Sequence, residues 1–288
     1  MTRHAGLAIA LLAAGCAAEP GKAGQPVEAR FDGWVETPAG KLRVEDEGRG
    51  GVPVLFVHGL GGDRHVWDGE LARLAPRRRV VSLDLHGSGD SAPSSSAAFG
   101  PGPHAGDILA VMDARGIDRA VIVAHSYGGA VALAFAGAHP ERTAGVVFVD
   151  STPDLSGIPE KTRRAFLGRL ATPGSYDAFV RAWFDGILRG SSEEVKRQVM
   201  GALERTERAV FVASVTELWL WDPEPSLARY HGPRIAIIAA GPNGDTATAY
   251  HRLGGFSHQV MTGVSHWLML DRPEQFAGHL DAFLSTVK

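Results

Sequence analysis

Cysteine is nearly missing from this chain: Cys16 is the single one among 288 residues. That excludes an intrachain disulfide and leaves little basis for a thiolate metal site. Charge of one sign is scarce too. The formal net charge is −3, from 29 Lys and Arg against 32 Asp and Glu, so the basic footprint of a nucleic-acid partner is lacking. The cluster Arg77-Arg78-Arg79 precedes an apolar run and reads as a solvated loop entering a strand. No apolar run is long enough to span a bilayer as a mature helix, and no internal repeat occurs. What remains is ordinary globular composition, 44% hydrophobic and 21% charged.

The first residues have a layout of their own. Met1-Thr2-Arg3-His4 is a short basic start, Ala5 to Ala14 is apolar, and small residues lead to Ala13-Ala14-Gly15-Cys16. This is the arrangement of a secretory signal, and its end resembles a bacterial lipoprotein lipobox, with Leu12 one position further back than that pattern places its leucine. On the lipobox reading Cys16 becomes the acylated first residue of a membrane-attached lipoprotein. On the other reading an ordinary signal peptide is cut nearby and the protein is periplasmic or secreted. Both imply export. Residues 17–32 then read as a flexible tether, because they hold few apolar residues to pack. The roughly 260 residues left suffice for one core, since a domain of that size buries about three quarters of its unfolded surface.

From Trp34 onward short apolar runs alternate with helical patterns. Pro38-Ala39-Gly40 marks an opening hairpin, and then come VPVLFVHG, RRVVSLDLHG, AVIVAHS, AGVVFVDS, RIAIIAAG and HQVMTGV. Val54 to Val57 and Val146 to Val149 are apolar at every position, as expected of strands buried on both faces of a parallel sheet. Helical patterns lie near 64–75, 104–115, 127–138 and 273–286. This is the α/β class. Between residues 151 and 230 no strand is expected, only helical patterns near 159–170, 176–189, 192–206 and 207–221, the third opened by a capping signal at Ser191-Ser192-Glu193-Glu194. Residues 33–150 and 231–288 are thus expected to form the core, and 151–230 a helical cap. The cap carries Phe166, Phe179, Trp183, Phe184, Phe211, Trp219 and Trp221. These either glue the cap to the sheet or line an apolar substrate pocket, with Trp183, Trp219 and the later Trp267 as the candidate lining.

The sharpest signal is Ala124-His125-Ser126-Tyr127-Gly128-Gly129, between an apolar strand and an apolar helix. A serine in such a strand-to-helix turn adopts a strained backbone that pushes its hydroxyl out above the sheet. Small residues two before and two after it let the turn close. The helix start also aims free N–H groups at a developing oxyanion. His58-Gly59-Leu60-Gly61-Gly62 follows the strand Val54 to Val57. With these two motifs the chain resembles the α/β-hydrolase fold family. The resemblance implies a mostly parallel sheet flanked by helices, with a helical cap after the sixth strand. It also implies an oxyanion hole made by the backbone N–H groups of Leu60 and Tyr127, with His58 structural.

Further segments extend the likeness over nearly the whole chain. Asp84-Leu85-His86-Gly87-Ser88-Gly89-Asp90-Ser91 resembles the family's D-x-x-G-x-G-x-S scaffold turn, with His86 where arginine is common. His139-Pro140-Glu141-Arg142 resembles the stop after the nucleophile helix, and Gly263-Val264-Ser265-His266-Trp267, followed by Asp271-Arg272-Pro273-Glu274, the histidine loop and last helix. A base that takes the serine proton near neutral pH is best supplied by histidine. Of the 12 histidines, His266 stands at the matching position, with His258 the alternative, and His125 reads as packing in the turn.

The acid stays open. A carboxylate should orient the imidazole and stabilise its charged form. Asp245 follows the strand where most of the family carries this residue, and Asp150 ends the strand used by some members. Either would complete a serine hydrolase acting through an acyl-Ser126 intermediate, with no metal or organic cofactor called for. The expected substrate is a small carboxylic ester with an apolar acyl or alcohol group. Cleavage of a C–C bond, amide or N-terminal peptide hydrolysis and perhydrolysis would use the same machinery. An amine-binding variant would need a cap carboxylate such as Glu193, Glu194, Glu204 or Glu217. A receptor-like protein that binds a small ligand is the reading from another class. Oligomeric state is not legible.

Overall fold

Apolar runs that leave no polar face force two-sided burial, and the sheet is built around them. A computed structural model describes residues 30–96, 98–151, 154–155, 157–172, 174–240 and 256–288. The leader with Cys16 and the loop with Asp245 lie outside these. Eight strands form one sheet: β1 (Arg30–Thr37), β2 (Gly40–Glu47), β3 (Val54–Val57), β4 (Val80–Leu83), β5 (Ala120–His125), β6 (Thr143–Val149), β7 (Arg234–Ala239) and β8 (His258–Met261), in the order β1-β2-β4-β3-β5-β6-β7-β8. The opening hairpin and the β2–β4 pair are antiparallel. From β4 to β8 all pairs are parallel.

β3 shows how the two faces are filled. Leu55 and Val57 join the core formed with α2 (Pro101–Ala114) and α3 (Tyr127–Ala138). Val54 and Phe56 point the other way, into the core formed with α1 (Asp68–Leu74) and α10 (Pro273–Leu284). Strand alternation thus divides an unbroken apolar run between two layers of helix.

Between β6 and β7 the chain leaves the sheet and runs through α4 (Glu160–Ala171), α5 (Tyr176–Ile187), α6 (Glu193–Arg205), α7 (Arg208–Leu220) and α8 (Glu224–Arg229). Ser192 caps α6, its hydroxyl accepting from the Val195 N–H. The short α8 is a helix that the sequence patterns do not announce. A four-residue α9 (Leu268–Asp271) follows the histidine loop.

One boundary needs correcting. The segment read as a tether over residues 17–32 ends sooner, because β1 begins at Arg30. The misreading has a physical cause: β1 is an edge strand in which Val35 alone is buried, with Phe31 packed against the core and the Arg115 guanidinium 4.0 Å from its ring. An edge strand needs little apolar content, so it offers a weak pattern.

Candidate active site

The parallel strands end on one side of the sheet, and the ends of β3, β5, β6 and β8 lead into the site. Among the described residues only two non-glycine residues have positive φ: Ser126 (φ 51°) after β5 and Asp150 (φ 41°) after β6. Backbone of this kind is costly and is held in place by its surroundings. At Ser126 the N–H donates to Val149 O at 2.9 Å. Its carbonyl accepts from Gly129 N–H at 2.9 Å and from the Ser151 hydroxyl at 2.6 Å. The Ser126 side chain makes no capping bond to α3. Its hydroxyl is therefore not spent on the helix.

The glycines of the motif are explained by proximity. A Cβ on Gly128 would stand 2.5 Å from His58 O, and one on Gly129 2.0 Å from Ser151 Oγ. A Cβ on Gly59 would meet His125 Nδ1 at 2.8 Å and Ser126 Cβ at 3.1 Å. Larger residues would push the oxyanion loop and the serine turn apart. His58 ties this loop down: its Nδ1 donates to Gly59 O at 2.8 Å, and its Nε2 accepts from Leu85 N–H at 3.1 Å. Among the described residues the backbone N–H groups of Leu60 and Tyr127 donate to no acceptor. Both residues border the same cavity as Ser126.

Asp150, not settled by sequence, is hydrogen-bonded to His266. Its Oδ2 lies 2.6 Å from His266 Nδ1, and its Oδ1 accepts from Ala239 N–H at 2.9 Å. A carboxylate on Nδ1 leaves Nε2 as the ring atom able to accept a proton. The backbone of His266 is tied on two further sides. Its N–H donates to Ile187 O in the cap at 3.1 Å, and its carbonyl accepts from His125 Nε2 at 2.9 Å. Ser265, beside it, accepts from Trp267 N–H at 3.0 Å and from the Ser191 hydroxyl at 2.7 Å. No hydrogen bond joins Ser126 Oγ to His266, and contacts of this type often form only with substrate in place.

His125 thus does more than pack. Its ring is buried and lies 4.6 Å, centroid to centroid, from that of His266. Burial, reinforced by His266, holds its pKa well below the ordinary histidine range. A neutral ring donating from Nε2 is what the carbonyl of His266 requires. His258, the alternative base, is the first residue of β8 and does not border the cavity.

The cavity above Ser126 measures about 240 Å³. Trp183, Trp219 and Trp267 all line it, as do Phe184, Val215 and Leu218. Asp150 is the one carboxylate in its wall, and no lysine or arginine is present there among the described residues. The four cap glutamates are elsewhere: Glu193 pairs with Lys196, Glu204 with Arg181, Glu217 packs on Gly100 and Glu194 faces solvent. Trp183 and Trp219 serve both roles, lining the cavity and packing against Phe166. Phe166 stacks on Trp219 at 5.0 Å and meets Trp183 edge-on at 5.0 Å, so it buttresses the wall without lining it.

Beneath the site, Tyr127 OH pairs with His104 Nδ1 at 2.6 Å. Burial keeps the phenol protonated and pushes the His104 ring down to about 4. The Asp84 turn is scaffolding. Its carboxylate accepts from Arg64 N–H, the Arg64 guanidinium and Asp90 N–H, and a Cβ on Gly89 would strike it at 2.3 Å. Sequence patterns assign no role at the site to Ser151, Ser191 or Ser265, whose partners there are distant in the chain or belong to the backbone.

Comparison with known proteins agrees with this geometry. Residues 52–201 match the family described as alpha/beta hydrolase fold. A putative carbamate hydrolase, RutD, from Caulobacter segnis is 39% identical over 252 residues, covering 80% of this chain and 90% of that one. The acetyltransferase component of an acetoin cleaving system from Pseudomonas putida is 39% identical over 256 residues, 82% of this chain; the match spans only 64% of that protein. Among solved structures, Est816, described as an N-acyl homoserine lactone degrading enzyme, is 25% identical with a TM-score of 0.72, covering 87% of this chain and all of that one. A putative aryl esterase from Burkholderia cenocepacia has a TM-score of 0.75 at 21% identity, covering 89% and 98%. The chain belongs to the α/β-hydrolase family.

Proposed function

We propose that the protein is a serine hydrolase that cleaves a neutral carboxylic ester through an acyl-Ser126 intermediate. The observation that carries this reading is the meeting, in one cavity, of a strained serine, a histidine bonded to a carboxylate and two unpaired backbone amides. Ser126 Oγ attacks the carbonyl carbon while His266 Nε2 takes its proton, and Asp150 holds the charged ring. The oxyanion accepts from the Leu60 and Tyr127 N–H groups. Its collapse expels the alcohol, which takes the proton from His266. Water, activated by the same ring, then attacks the acyl carbon and frees the acid.

The cavity wall supports an apolar substrate. A cavity of 150 Å³ accommodates benzene, so about 240 Å³ suits roughly ten non-hydrogen atoms. A cyclic ester belongs in the same class, and the likeness to Est816 argues for including lactones. A small polar carbamate would leave most of the apolar wall unused. The aminopeptidase reading loses support, since a free amine would find no cap carboxylate in the wall.

The test is a panel of p-nitrophenyl esters and lactones, with amides and carbamates as controls. Ester cleavage is expected to exceed amide cleavage, and Ser126→Ala is expected to abolish it, by about 10⁶-fold in kcat for a nucleophile acting within a triad. An alanine variant with parental turnover contradicts the reading.

A further inference from the structure

A second concavity, about 590 Å³, lies between α1 and α10, and it shares one lining residue with the active-site cavity: Val66. We infer that Val66 is the specificity-determining partition that sets the length of apolar chain the cavity accepts, an inference that rests on the reading of that cavity as the substrate site.

The partition is rigid because its neighbours are pinned. Val66 belongs to a short 3-10 turn, Arg64–Trp67, capped by Asp63, whose carboxylate accepts from His65 N–H. Before Val66, the Arg64 guanidinium is bonded to Asp84 and Asp90. From the cap, Arg205 pairs with Asp63, and Gln198 donates to His65 O at 3.1 Å. After Val66, Trp67 is fully buried between Phe56 and Phe276, with ring centroids 5.1 and 6.1 Å away. A turn held at both ends cannot collapse into space vacated by a shorter side chain. Truncation should leave a hole.

The space behind Val66 can take an alkyl chain. Met269, Leu270, Pro273 and Ala277 supply apolar wall, and Arg73 is neutralised by bonds to Glu70 and Asp281. Its width comes from two helical glycines, Gly69 and Gly278, where an added Cβ would meet nothing within 4 Å. The same openness provides a control, since a phenylalanine at 278 has room to fill the concavity.

The experiment measures binding of 1-hexanol and 1-decanol by quenching of tryptophan fluorescence, as three tryptophans line the cavity. Parent, Val66→Ala, and Val66→Ala with Gly278→Phe are compared, each with a melting curve. Val66→Ala is expected to tighten decanol at least tenfold relative to hexanol, and Gly278→Phe to return the ratio to that of the parent. Should Val66→Ala fail to fold, Val66→Leu runs the test in reverse and should weaken decanol more than hexanol. An unchanged ratio in the folded variants overturns the partition. Alcohol binding does not need Ser126, so the two readings separate. A shifted ratio without ester cleavage contradicts the hydrolase alone, and cleavage with an unshifted ratio contradicts the partition alone.

Discussion

The floor and the roof of the cavity obey different rules. The floor is backbone: Ser126 and Asp150 sit at strand ends in positive-φ conformations, and Gly59, Gly128 and Gly129 are there because nothing larger fits. The roof is side chain: Trp183, Phe184, Leu218 and Trp219 project from α5 and α7, and a few polar links fasten the cap below, such as His266 N–H to Ile187 O and Ser191 to Ser265. A strand end fixes an atom to within a fraction of an ångström, as bond-making requires. A helical roof can change its lining without disturbing that geometry. On the proposed function, chemistry belongs to the floor and selectivity to apolar side chains, those of the roof together with Val66.

Floor substitutions are expected to lower turnover rather than retune selectivity. Asp150→Asn keeps an oxygen for the Ala239 N–H, and asparagine tolerates positive φ, so the fold should survive. Its kcat should nevertheless fall on the order of 10⁴-fold, as when a triad histidine loses its orienting carboxylate. His125→Leu is expected to lower kcat about tenfold with little change in KM, because the His266 carbonyl loses its donor. His125→Gln, which can present an N–H where Nε2 stood, should restore most of it. Steady-state kinetics at saturating ester, beside melting curves, checks both.

The roof should behave otherwise. Trp219→Leu is expected to lower kcat/KM about tenfold for an aromatic ester while leaving an acetate ester nearly unchanged. A uniform loss across the panel would mean that the roof serves the chemistry as well.

A smaller effect is expected from the residues beneath the floor. His104 is held at about 4, below the ordinary 6.5, chiefly by burial. Between those values the unfolded chain binds a proton that the folded chain does not. Stability is therefore complete above pH 6.5 and falls as pH drops toward 4. The loss should be on the order of 1–3 kcal/mol. His104→Asn, which can still pair with Tyr127, should flatten that part of the curve when denaturant unfolding is followed from pH 7 to 4. An equal slope in the variant would assign the acid sensitivity to other groups, His125 first among them.

Much of the floor was legible because it is local. The turn at Ser126 lies within six consecutive residues, and β3 to β7 announce themselves by apolar runs without a polar face. The α/β fold follows from that alternation. What was not legible depends on distance in the chain. Asp150 and His266 are 116 residues apart, and which strand end lies beside the histidine loop is a fact with no periodic signature. His125 reads as packing until its Nε2 is seen against a carbonyl 141 positions away. Val66 looks like any valine in a short helix. The first strand was misread because its exposed edge needs no apolar pattern.

The proposed chemistry requires one serine, poised by its backbone, to act with one histidine. A fluorophosphonate probe followed by peptide mass spectrometry tests it most directly. Rapid labelling at Ser126 is expected, blocked by an ester substrate and slowed by orders of magnitude in His266→Ala. Labelling at another residue, or equal rates with and without His266, contradicts it.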